Sequence, residues 1–248
     1  MKTATAWHSE RLGERIAVAR WGHFGTPVLL FPTAGGDAEE IERFHVLDAL
    51  SDLLEAGRIK VYSCDSVAGR TWLKGEGTDR HRAWIQTQFH EFVAKELVPA
   101  IRMDCDDSTI EVISAGASIG AFNAVAVLCR YPHLFKAALA VSGTYDLSRF
   151  LNGSEVPGDY YFSSPLHFLP GMSGDVLERA RRRFVLLASG QGRAENLGES
   201  WRMAHALGQA GIPNRVDEWG PEWHHDWPTW RRMFPLYLDE LTRPAAGS

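Results

Sequence analysis

The stretch Ile110-Glu111-Val112-Ile113-Ser114-Ala115-Gly116-Ala117-Ser118-Ile119-Gly120-Ala121 passes from a β-branched apolar run into a helix-forming one through a crowd of small residues. The apolar run predicts a strand over 109–114, and the pattern after it predicts a helix over 118–131. Between them, Gly116-x-Ser118-x-Gly120 has the form of a nucleophile elbow, a sharp strand-to-helix turn that holds a serine in a strained backbone conformation. Glycine is needed at 116 and 120 because a side chain at either would collide where strand and helix meet; Ala117 and Ala121 suit the same crowding. A serine hydroxyl is a weak nucleophile until a base takes its proton and a third group orients that base. The rest of the chain must therefore offer an acid and a histidine, each following a strand.

Working outward, Arg15 to Trp21 alternates as part of an early hairpin, and Pro27 to Phe31 reads as a buried strand. A helical stretch over 37–56, a strand over 59–64 and a helix over 84–101 follow. Beyond the elbow come strands over 137–142, 184–189 and 214–219, and helices over 199–210 and 229–241. Continuous apolar strands such as Val28-Leu29-Leu30-Phe31 and Phe184-Val185-Leu186-Leu187, alternating with helices, predict an α/β class with a mostly parallel sheet covered on both faces. The one long irregular piece, 146–172, is expected to be a small lid or insertion.

The strand over 184–189 runs into Gly190-Gln191-Gly192-Arg193-Ala194-Glu195-Asn196, which puts Glu195 at the carboxyl edge, where open α/β sheets carry their sites. The strand over 214–219 runs into Gly220-Pro221-Glu222-Trp223-His224-His225-Asp226-Trp227. Ser118, then Glu195, then a histidine is the chain order of a hydrolase triad on this fold class. Glu195 has two rivals: Asp146, after the strand over 137–142, and Glu199, which is better placed to open the following helix near its positive end. Asp226 reads as a helix cap or a partner of the base. His224 and His225 point opposite ways if the chain is extended, so only one can face Ser118. As a pair with no third spaced ligand they make a poor chelate, so no metal is expected.

The chain has 248 residues, 45% hydrophobic and 23% charged, the profile of a globular protein and not of a disordered or fibrous one. One domain, 1–248, is the expectation. The net charge of −5 and the shortness of the one basic run, Arg179 to Arg183, argue against a grip on nucleic acid. Cys64, Cys105 and Cys129 have no paired spacing and suit a reducing compartment. Met1 to Ala19 holds no apolar run of signal-peptide length and no stretch approaches membrane-spanning length, so a cytoplasmic protein without membrane attachment is expected. Gly190-x-Gly192 and Gly75-x-Gly77 lack the continuation of a phosphate loop, so no nucleotide cofactor is expected. Of nine tryptophans, five fall between Trp201 and Trp230.

On these residues the chain resembles serine esterases of the α/β-hydrolase superfamily, in the group that holds esterase D-like enzymes and mycolyltransferase-like proteins. The resemblance spans Pro27 to Leu241. It rests most on Gly116-Ala117-Ser118-Ile119-Gly120, on His225-Asp226-Trp227 with Trp230 after it, and on Leu30-Phe31-Pro32-Thr33-Ala34-Gly35-Gly36. Ala117 departs from the polar or aromatic residue that many relatives carry there. The resemblance implies an α/β-hydrolase fold with no large cap domain, and a carboxylic ester hydrolase acting through an acyl-enzyme with no cofactor. Ser118 is then the nucleophile, Glu195 the acid and His225, favoured by its position in the family, the base. The oxyanion hole needs two backbone N–H groups; Ile119 should supply one and Ala34, with Thr33 as its rival, the other. Thr33, Trp72, Trp223 and Trp227 are weaker candidates for contact with substrate, as is Arg70. The partner is a small-molecule ester, and a homo-oligomer is compatible with the chain. Acyl transfer at the same triad is one alternative, and a non-catalytic binding protein on the same fold is another.

Overall fold

In the computed structural model, residues 1–151 and 158–243 are described, and among them eight strands form one sheet. The strands are β1 (Lys2–Ser9), β2 (Glu14–Trp21), β3 (Thr26–Phe31), β4 (Ile59–Cys64), β5 (Val112–Ala117), β6 (Phe135–Val141), β7 (Phe184–Ser189) and β8 (Asn214–Glu218). Their order across the sheet is β1-β2-β4-β3-β5-β6-β7-β8. β1 and β2 form the antiparallel hairpin, β2 meets β4 antiparallel, and every pairing from β4 to β8 is parallel.

The predicted helix over 37–56 is instead broken into α1 (Glu40–Arg43), α2 (Val46–Ala49) and α3 (Ser51–Glu55), because His45 turns left-handed at φ 61°. The sequence 65–72, read only as following a strand, winds into α4 (Val67–Lys74). The predicted helix over 84–101 begins earlier as α5 (Asp79–Phe92), passes through a π-turn (Val93–Leu97) and ends as α6 (Val98–Asp104). α7 (Ile119–Arg130) follows the elbow, and the elbow strand itself starts three residues later than its apolar run predicts. The 146–172 stretch holds α8 (Gly158–Ser163) and α9 (Pro165–Phe168), while 152–157 of that candidate lid lie outside the described residues. α10 (Gly174–Ala180), α11 (Leu197–Gln209) and α12 (Trp227–Leu241) complete the chain.

Alternation along each strand divides the core between the two faces. Leu29 and Phe31 of β3, Ala138 and Ala140 of β6, and Val185 and Leu187 of β7 pack on one side with Phe89, Val93, Leu128 and Leu207. Val28, Leu30, Leu139 and Leu186 point the other way, onto Leu50, Trp230, Met233 and Phe234. Burial on both faces explains why these strands read as unbroken apolar runs. The six parallel strands, β4, β3, β5, β6, β7 and β8, end at the same edge, where the loops after β3, β5, β6, β7 and β8 converge. No separate large cap is present among the described residues.

Candidate active site

Ser118 sits between the last residue of β5 and the first of α7, with φ 57° and ψ −121°, a region that side-chain-bearing residues rarely adopt. Such a residue costs on the order of 1–3 kcal/mol and persists only where its surroundings over-determine it. Here they do. Its N–H donates to the Val141 carbonyl at 3.1 Å, and its own carbonyl accepts from the Ala121 and Thr144 amides, each at 3.2 Å. A Cβ on Gly116 would lie 2.3 Å from the Gly120 carbonyl carbon, and one on Gly120 would lie 2.7 Å from the Phe31 carbonyl oxygen. Both glycines are therefore required by close backbone approach, as the spacing predicts.

Glu195 lies on the loop after β7, which bends at Ala194 (φ 63°) and is clamped against the loop after β8. The Gly192 amide donates to the Trp223 carbonyl (2.9 Å), the His225 amide to the Arg193 carbonyl (3.1 Å), and the Arg193 amide to His224 Nδ1 (2.9 Å). A Cβ on Gly190 or on Gly192 would come within 2.1 Å of Trp223 or His224, so the two loops touch only because glycine stands at both positions. The Glu195 side chain is 1% exposed. Its Oε1 accepts from Ser142 Oγ at 2.5 Å, and its Oε2 lies 3.2 Å from Ser189 Oγ and 3.5 Å from His225 Nδ1. Burial pushes this carboxyl up, but the His225 ring, then Ser142, outweigh it and hold it below the usual carboxylate range.

The His225 ring meets Trp230 edge to face at 5.2 Å, and Trp230 Nε1 donates to Ser142 Oγ at 3.0 Å. A buried chain therefore runs from the Trp230 indole through Ser142 to Glu195. Among the described residues no hydrogen bond joins His225 to Ser118; contacts of this kind are often long without substrate and tighten when it binds. His224 is engaged by the Arg193 amide. Asp226 caps α12, accepting from the Thr229 amide at 3.3 Å. Asp146 is held by Arg202 at 2.7 Å and by Ser148, and Glu199 in the first turn of α11 accepts from the Tyr145 and Asp146 amides.

On the opposite flank of Ser118, Ile119 opens α7, whose first-turn N–H groups have no partner within the helix. The loop after β3 runs over the same helix end. The Thr33 amide and hydroxyl both donate to Glu40, at 2.7 and 2.6 Å, so that amide is engaged; the Ala34 amide has no partner among the described residues. Ile119, Trp72, Phe122, Leu147 and Tyr160 form a small apolar cluster against which Ala34 packs. Trp72 is 4% exposed and donates to Gln86 Oε1 at 3.1 Å. Trp223 is half-buried edge-on to Trp219, and Trp227 stacks on Phe44 at 4.4 Å, so both spend much of their surface on packing. Arg70 pairs with Glu14 at 2.7 Å.

Sequence reading had no hold on Ser142, Ser189 and Glu40 as contributors here. The only signal was their place beside strand or loop ends at the carboxyl edge. Among the described residues, no three His, Cys, Asp or Glu side chains converge as a metal would need, and no helix is long and apolar enough to cross a membrane.

A family model described as "Putative esterase" matches residues 48–238. No curated protein matches the chain in sequence. Among solved structures it is similar to a ferulic acid esterase, at 18% identity over 98% of both chains and a TM-score of 0.75. It is similar to FphF, a fluorophosphonate-binding serine hydrolase of Staphylococcus aureus solved with substrate bound, at 12% identity over 98% of this chain and 99% of that one, with a TM-score of 0.74. MPT51 (FbpC1) of Mycobacterium tuberculosis superimposes with a TM-score of 0.70 at 15% identity over 97% and 98% of the two chains. At these identities the likeness speaks for the fold, which is that of the α/β-hydrolases.

Proposed function

We propose, from the premise that this chain belongs to the esterase family and is a carboxylic ester hydrolase, that it acts through a covalent acyl-enzyme on Ser118. In this reading His225 takes the proton of Ser118 Oγ as the hydroxyl attacks the ester carbonyl. Glu195 accepts from Nδ1, fixes the tautomer and stabilises the imidazolium that forms. The carbonyl oxygen, now negative, turns toward the amides of Ile119 and Ala34. Collapse expels the alcohol with the proton from His225, and water deprotonated by the same histidine then releases the acid and restores Ser118. The observation that carries the reading is the strained backbone of Ser118 at the carboxyl edge, together with a buried carboxylate, Glu195, that lies 3.5 Å from a histidine ring.

The test is Ser118→Ala. It should abolish turnover of a nitrophenyl acyl ester and labelling by a fluorophosphonate probe; unchanged rates would overturn the assignment, and a folded wild type that takes no label would favour a binding protein. Acyl transfer uses the same residues and differs only in which nucleophile meets the acyl-enzyme. An ester product formed from an added alcohol separates the two. The reading takes 1–248 as one domain with 146–172 as a small lid, and a small-molecule ester as the partner. The three cysteines, all free thiols, suit a cytoplasmic enzyme.

A further inference from the structure

Glu40 is a buried carboxylate to which the mechanism above assigns no work. It is 5% exposed, at the first residue of α1, and among the described residues no cation lies within ion-pair distance of it. Burial pushes its carboxyl up, against the opposing pull of two hydrogen bonds from Thr33. A buried charge without a cation is expensive, so it should make contacts that a neutral filler could not. Both of its oxygens are spent on one residue: Oε2 accepts the Thr33 amide at 2.7 Å and Oε1 the Thr33 hydroxyl at 2.6 Å.

Thr33 directly precedes Ala34. Gripping the amide and hydroxyl of one residue fixes its orientation, and with it the plane of the next peptide, whose N–H is the unengaged one. The surrounding contacts leave that grip little slack. A Cβ on Gly36 would lie 2.4 Å from Glu40 Oε2 and 2.6 Å from Pro32 Cβ, so the loop wraps the carboxylate as closely as glycine allows. On the far side, Gly69 of α4 approaches so near that a Cβ there would be 2.9 Å from Ala34 Cα. Gly120 in turn presses on the carbonyls of Phe31 and Pro32, which ties this loop to the helix end that carries Ile119.

We infer that Glu40 is a positioning residue of the oxyanion hole, holding Thr33 by a two-point grip so that the Ala34 amide is aimed where the negative oxygen develops. The inference rests on the proposed roles of Ser118, Ile119 and Ala34. The grip acts through geometry: a glutamine at 40 can still accept the Thr33 amide with its carbonyl and donate its NH2 to the Thr33 hydroxyl, whereas an alanine can do neither.

The experiment compares wild type, Glu40→Gln, Glu40→Ala, Gly36→Ala and Thr33→Val by kcat and KM on a nitrophenyl ester. It adds the affinity of a trifluoromethyl ketone, whose adduct places an oxyanion in the hole, and thermal melting. Glu40→Ala should lower kcat and ketone affinity together by about tenfold or more while KM moves less than about threefold. Gly36→Ala, which displaces the carboxylate, should do the same. Glu40→Gln should recover most of the loss, and Thr33→Val, which removes only the hydroxyl, should lose about two- to fivefold. The loop keeps other anchors, the Ser66 amide on the Gly36 carbonyl at 3.1 Å and the Ala38 amide on Asp65 at 3.1 Å, so these variants should fold; Thr33→Val and Glu40→Gln serve if Glu40→Ala does not. A folded Glu40→Ala with kcat within about twofold of wild type, a loss confined to KM, or a glutamine no better than alanine overturns the inference. If the wild type is not labelled by fluorophosphonate, or Ser118→Ala stays active, the proposed function itself fails instead.

Discussion

Two carboxylates are buried at the carboxyl edge of the sheet, one serving the loop after β3 and the other on the loop after β7, and their surroundings drive them in opposite directions. Glu195 faces His225 and accepts from Ser142 and Ser189, so it is held below the ordinary carboxylate range. Glu40 accepts hydrogen bonds only from the neutral donors of Thr33, with Arg43 acting on it more weakly from a distance, and burial wins, pushing its carboxyl up. Both side chains are nearly inaccessible to water, so burial alone does not decide the direction of the shift. What sets the direction is how far the hydrogen-bond donors around each carboxylate offset that burial: His225, Ser142 and Ser189 do so for Glu195, and Thr33 does not for Glu40. In the proposed chemistry the difference matches the work, since Glu195 must stabilise a transient imidazolium and Glu40 has only to hold a loop still.

The contrast can be broken most sharply at Glu195. Glu195→Gln should lower kcat by roughly 10²- to 10⁴-fold in steady-state assays, because the amide can stabilise the wrong tautomer of His225 and no longer balances its charge. Retention of full activity would shift the acid role to Asp146. Next in size is Gly192→Ala, which drives a methyl into His224 and the Trp223 carbonyl and should part the two clamped loops. A misplacement of that order costs on the order of 10²-fold in kcat, with far-UV circular dichroism unchanged. Trp230→Phe keeps the ring against His225 and deletes only the bond to Ser142, so a loss of about 1 kcal/mol in denaturant unfolding and a few-fold fall in kcat are expected.

The smallest effect is the most diagnostic of the comparison. A carboxyl whose folded-state value is depressed stabilises the fold above its unfolded value, about 4.3, and loses that contribution as pH falls through the folded value. The stability gap between wild type and Glu195→Gln should therefore be full at pH 7 and shrink below about pH 4. Glu40 runs the other way: its raised value means the ionised form disfavours folding. The pH-dependent part of the gap for Glu40→Gln should then favour the variant at pH 7 and vanish below about pH 4.3, where wild-type Glu40 is protonated in both states. Urea melts of the two variants from pH 3.5 to 7 would reveal the opposite signs; slopes of one sign would show that the two environments do not differ as described.

The elbow and the strands that frame it were legible because their causes are local. Ser118, with Gly116 and Gly120, is bound by sterics within a dozen residues, and the unbroken apolar runs of β3 and β7 report burial on both faces. Even so, local pattern overstated the helix over 37–56, where one left-handed residue, His45, breaks the winding that side-chain periodicity alone suggests. The polar partners were another matter. Ser142 reaches Glu195 across 53 residues of chain and Trp230 across 88, and nothing in its neighbours marks it apart from any serine at a strand end. Sequence by itself thus determined the α/β class and the position of the strained serine, and it offered Glu195 and His225 as the candidates that follow it. The tertiary structure decided which donors each buried carboxylate meets, and so which is held down and which is pushed up. Electrostatics depends on distance in space, and that is set only when the loops after β3, β6, β7 and β8 are brought to one edge.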